Sequence, residues 1–246
     1  MRLAHKIKAT LRVLLLLTIS VSVHEMGHYT MLRAFHVPIE GVSLGFGPQL
    51  LVYHGSENTT WSLRLIPLGG YVSPAKEFLT RPPVQRLIVS SAGITFAMIF
   101  AFLLFLVVPF WTWEHPLDGR WHSALRASFG TMLRGVKTLF GIVFHPRTFT
   151  DDFRDYSKSL RVFDGHWIWL LGMFTADISA LNIFPLALFD GSKILWACTA
   201  ILINERAGEL VWSWSGPLMG APMIVVSLYD LTCEAFTHIR RKCQRL

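Results

Sequence analysis

The chain has 246 residues, of which 52% are hydrophobic and only 16% charged, against about 25% charged in soluble domains; this excludes an ordinary soluble domain and predicts a membrane bundle. The net charge is +7, but Lys and Arg cluster beside the apolar stretches and form no separate basic stripe interleaved with aromatics. That argues against nucleic acid and for the lipid bilayer as the partner. Three cysteines, Cys198, Cys233 and Cys243, show no metal-ligand spacing and are too few and too odd for a full disulfide framework.

In chain order, four segments approach the roughly 20 apolar residues that a membrane-spanning helix needs. The first covers about residues 11–35. Its apolar part, Val13 to Val23, is too short to cross, so the helix must continue through HEMGHYTMLRAF. Two histidines and a glutamate then lie inside the membrane, where polar residues are costly and functional by default. A basic start and an apolar run also describe a signal peptide, but cleavage there would leave HEMGH at a frayed terminus.

Residues 41–72 read as a β element. Leu50 to Tyr53 and Trp61 to Ile66 are strand-like, with turn chemistry at His54 to Asn58. GFGP (Gly45 to Pro48) and PLGG (Pro67 to Gly70) flank them and break regular structure. A sheet edge here can pair with an extended peptide. The second span, 87–113, carries no charge. Residues 114–166 form a polar, amphipathic loop, with Ser128 to Phe144 predicted as an interfacial helix rather than a span. The third span, 167–189, contains Asp177, a polar residue expected to face a cavity. The fourth, 210–231, contains Pro217 and Pro222, which predict a kink. The predicted fold is a single, mainly α, polytopic domain of about four transmembrane helices with a small membrane-associated β-hairpin.

The chemistry is concentrated in His24-Glu25-Met26-Gly27-His28. Residues four apart share a helix face, so both imidazoles can ligate one zinc ion. Glu25 follows the first ligand and can reach a water activated there, taking its proton and passing it to a leaving amine. Catalytic zinc takes three protein ligands. The best third candidate is Asp190, in NIFPLALFDG, where Asn182-Ile183-Phe184-Pro185 would unwind the helix and let the acid turn inward. The remaining histidines, such as His5, His36 and His54, lack a partner at ligand spacing and are expected to be solvated or interfacial.

With these motifs assembled, the chain resembles the site-2 protease family of intramembrane metalloproteases, most nearly its bacterial regulator of sigma-E protease branch. The matching stretches run in order: HEMGH, SLGFGP (Ser43 to Pro48), LIPLGGYV (Leu65 to Val72), RPPVQRLIVSSAG (Arg81 to Gly93) and NIFPLALFDG (Asn182 to Gly191). The resemblance implies one zinc ion per chain on His24, His28 and Asp190, with Glu25 as general base. It implies substrate contacts at Asn182 and Pro185, and at Gly45, Gly47, Leu68, Gly69 and Gly70 of the β region, where substrate adds as a strand. The substrate would be a single-span membrane protein, and the location a bacterial inner membrane crossed several times. Two departures stand out. The gap between the second and third spans is too short for the PDZ domain common in that branch, and Ile94, Phe96 and Ala97 replace the usual Pro and Asn after SSAG. Rival readings are a catalytically silent relative that binds membrane proteins and a transporter with a metal site at mid-membrane. Neither the intact motifs nor the hairpin favours them.

Overall fold

The computed structural model describes residues 2–55, 58–107, 117–144, 167–185 and 189–215. It is mostly helical, with one small antiparallel sheet. Helix α1 runs Arg2–Ala34 without interruption. It ends in a Schellman turn: Val37 N–H donates to Leu32 C=O at 2.9 Å and His36 N–H to Arg33 C=O at 3.1 Å. His36 takes the left-handed position (φ 52°) usually given to glycine. The turn is closed by contact of buried Leu32 with buried Val37, both in a core with Ile39, Phe78 and Val89. Pro38 then prevents continuation.

Strands β1 (Ile39–His54) and β2 (Thr60–Pro74) form the sheet. Each bends near its middle. Residues 41–44 therefore have partners on both sides: Val42 faces Val72 and Trp61, and Leu44 faces Gly70 and Leu63. The bends depend on glycine. Gly45 (φ 89°) and Gly47 (φ 81°) sit in backbone that L side chains rarely adopt, and a β carbon on Gly45 would lie 2.7 Å from the Ile66 carbonyl oxygen. We expect Gly45→Ala to lower stability by about 1–3 kcal/mol, read as a drop in the thermal midpoint of the detergent-solubilised protein; an unchanged midpoint would mean that the bend relaxes freely. Thr18 of α1 pins the second bend by donating to the Pro67 carbonyl at 2.8 Å.

Helix α2 (Pro83–Val107) starts with proline at its first position, where no N–H is needed. It crosses α1 closely, because a β carbon on Gly27 would collide with the Ala92 carbonyl; small residues permit such approach. Helix α3 (Leu117–Phe144) is longer than the interfacial helix expected from Ser128 onward, and it replaces part of the expected loop. The reason is a buried stripe at helical spacing, Ala124, Ser128 and Thr131, on a helix that packs against α2 and α4. Helix α4 (Trp167–Ile183) is apolar nearly all round and packs against α1, α2 and α3. It stops six residues short of the expected span end at 189. The chain turns before Pro185 and restarts as α5 (Asp190–Leu202), a helix not anticipated from the sequence. Residues 205–215 are again helical.

Two of these helices, over Thr10–Ala34 and Pro83–Val107, are long and apolar enough to cross a membrane; Trp167–Ile183 is apolar but shorter. The β element begins two residues earlier and ends two later than expected. Ser56 and Glu57 of the turn, residues 108–113 of the second expected span and 216–231 of the fourth lie outside the described residues.

Candidate metal centre

His24 and His28 lie one turn apart on α1 and are both buried. Their Nε2 atoms are 3.2 Å apart, and each lies 2.8 Å from Asp190 Oδ2. Asp190 opens α5, where the positive end of the helix dipole favours a carboxylate. Its other oxygen, Oδ1, accepts from Lys193 Nζ at 3.2 Å, which turns Oδ2 toward the imidazoles. The break between α4 and α5 puts the acid there. Gly191 makes it possible, since a β carbon at that position would overlap the carbonyls of Ile183 and Phe184.

The donor set fits a tetrahedral ion. His28 Nδ1–H donates to the Val89 carbonyl at 2.8 Å. A carbonyl only accepts, so neutral His28 carries its lone pair on Nε2, aimed at the other two donors. His24 Nδ1 is buried without a partner among the described residues. Ligands on zinc at about 2.0–2.2 Å stand roughly 3.3 Å apart; the two imidazole nitrogens match this at 3.2 Å, and Asp190 Oδ2 stands nearer to each, at 2.8 Å. Two nitrogens and one carboxylate suit zinc and leave a fourth position open, whereas calcium or magnesium would demand six or more oxygens.

Helix α2 closes one side of the centre. Gly93 is so near that a β carbon would lie 2.6 Å from His24 Nε2 and would collide with His28 Nε2. Glu25 points to the open side, and its Oε2 accepts the backbone N–H of Val72 at 2.9 Å. The edge of β2 is therefore in direct contact with the expected general base. A cavity of about 300 Å³ opens between them, lined by His24, Glu25, Gly70, Val72, Asn182 and Asp190.

The sequence profile of peptidase family M50 matches residues 12–219, most of the chain and all of the centre. The chain belongs to peptidase family M50. Three relatives carry the name "Putative zinc metalloprotease". The one from Synechocystis sp. is 38% identical over 111 residues, 40% of this chain and 30% of that protein. The one from Thermotoga maritima is 34% identical over 120 residues, 43% of this chain and 24% of that protein. The one from Brucella suis is 49% identical over 59 residues, 24% of this chain and 16% of that protein. The matched stretches thus cover less than a third of each of these relatives' length.

Of the residues expected at the M50 site, the structure gathers His24, Glu25, His28, Asp190, Asn182 and Gly70 around one cavity. Asn182 donates its amide back to Ile178 C=O at 3.0 Å. Gly45, Gly47 and Gly69 stand at the sheet bends, where their positive φ angles are needed, and do not line the cavity. Pro185 follows the end of α4 and is also outside the lining; the Leu68 side chain is not among those described. Asp177 lies elsewhere, against Gly135 of α3.

Sequence reasoning assigned no role to Gly93, Lys193 or the Val72 N–H. The signal for Gly93 was present, a glycine inside an apolar helix. A backbone N–H leaves no trace in a sequence.

Proposed function

We propose that this chain is an intramembrane zinc metalloprotease that hydrolyses a peptide bond in or near the transmembrane segment of a single-span membrane protein. The observation that carries the reading is the convergence of His24, His28 and Asp190 on one buried point, with Glu25 beside it on the open side. The family and the names of its relatives support protease chemistry and zinc. The further reading is of about four spans crossing a bacterial inner membrane, with one zinc per chain.

His24, His28 and Asp190 would hold the zinc ion, which when bound would supply Lewis-acid activation. The protein's own groups do the rest. Glu25 takes the proton of the attacking water and delivers it to the leaving amine. The β2 edge at residues 70–74 receives the substrate as an added strand. A helix unwound in lipid exposes amides that are expensive to leave unpaired, and an edge satisfies them. Because Glu25 occupies the Val72 N–H, an incoming strand that takes this donor frees the carboxylate for proton transfer.

Zinc per chain and cleavage of a single-span substrate, measured together for wild type and Glu25→Gln, test the reading. The expected result is about one zinc in both, with cleavage reduced by about 10²–10⁴ in the variant. A well-folded wild type without zinc would overturn it.

A further inference from the structure

A second cavity, of about 550 Å³, lies on the other side of Glu25. It runs between one face of the sheet and the stripe Ser22, Glu25, Met26 and Tyr29 of α1, which recurs at helical spacing. Its sheet wall is built mainly from two rows of partners in register, with Ser43, Val52 and Ser62 also in the lining. One row is Tyr53, Trp61, Val42 and Val72; the other is Leu51, Leu63, Leu44 and Gly70. Partners directly opposite point to the same face of a sheet, so both rows face the groove. The walls are apolar apart from three serines, and Glu25 is the one acid among them. The volume falls within the roughly 300–1,000 Å³ of ligand sites.

Both rows end at the edge that meets Glu25. One ends in Val72, whose N–H holds the carboxylate, and the other in Gly70, which adds no side chain. The groove and the metal cavity share Glu25, Gly70 and Val72. A strand added at this edge extends the rows by one residue each. Its residues opposite Val72 and Gly70 then point into the groove, and the residue between them points away.

We propose that this groove is the specificity site of the protease, taking large apolar side chains from alternate positions of the scissile segment. The proposal rests on the protease reading above and adds to it which side chains are read, and where.

The test begins with site-directed crosslinking in the full chain carrying Glu25→Gln, with Cys198, Cys233 and Cys243 changed to Ser and a single cysteine introduced by Val72→Cys, at the row end directly opposite the added strand. Single-span peptides carry one cysteine each at successive positions through the scissile segment. The proposal expects disulfides at alternate positions and none at those between. Crosslinking at no position, or equally at all, overturns it, as does labelling of Val72→Cys by a lipid acyl probe that peptide fails to displace. A second arm uses Leu44→Trp with Glu25 intact. For substrates with Phe against Ala at the reacting positions, the ratio of kcat/KM should fall about tenfold or more while zinc content holds. An unchanged ratio overturns the proposal. Alternating crosslinks with no cleavage by wild type of any substrate would uphold the groove as a peptide site and remove the protease reading instead.

Discussion

Gly93→Ala is expected to cost the protein its metal while leaving its helices in place. The added carbon would occupy space already filled by the ligand atoms, colliding with His28 Nε2 and lying 2.6 Å from His24 Nε2 and 2.7 Å from His24 Cε1. Neither ring can swing aside freely. His28 is held by the Val89 carbonyl on the same helix as Gly93, and both rings face Asp190. Either the rings turn or α1 and α2 separate, and each response spreads the three donors. Displacing a metal's supporting groups typically costs about 10–100-fold in affinity, and displacing the ligands themselves should exceed the upper end. Alanine is the better helix former by about 1 kcal/mol, so helix content should persist. Zinc retention against a graded chelator, beside far-ultraviolet circular dichroism, reads both halves. Wild-type zinc affinity in the variant would show that α2 yields instead.

The second large effect should come from Glu205→Ala. Arg86 of α2 is buried, with 3% of its side chain exposed, whereas Glu205 is 54% exposed. The guanidinium donates to both carboxylate oxygens of Glu205 at 2.7 and 2.6 Å and to the Leu79 carbonyl at 3.3 Å, and it stacks 4.0 Å over the Trp196 ring. Removing the acid leaves a cation buried without its counter-charge, a change worth about 3–5 kcal/mol. Removing the cation by Arg86→Met leaves an acid that water can reach, so it should cost less despite the lost stacking. Thermal unfolding of the two variants in one detergent checks the order. If Arg86→Met were the more damaging, the cluster would act through packing on Trp196 rather than through charge. The pair has consequences for the site, because Leu79 and Trp196 also line the metal cavity.

How much of this was legible in the sequence varied with the range of the interaction. His24, Glu25 and His28 were readable because helical spacing alone puts them together. Asp190 was readable from the helix-breaking run before it, although the helix it starts was not. The span expected to reach 189 ends at Ile183, since apolar composition cannot distinguish one helix from a helix, a turn and another helix. Helix α3 was hidden for the opposite reason: its buried stripe of Ala, Ser and Thr carries little hydrophobic signal in a polar stretch. The glycines of GFGP and LGG were visible as breakers. Only the structure separates Gly45, Gly47 and Gly69, which turn the strands, from Gly70, which faces the cavity. The pairing of Arg86 with Glu205 crosses 119 residues, and no local pattern announces it.

The donors of the centre are equally far apart in the chain, with His24 and His28 separated from Asp190 by 166 and 162 residues. During synthesis HEMGH is therefore made long before its third partner. At about 5–20 residues per second, roughly 8–30 seconds pass between them. Throughout that interval two histidines and a glutamate sit in an apolar helix with an incomplete metal site. The three-donor centre is complete only once α5 docks and delivers its first residue.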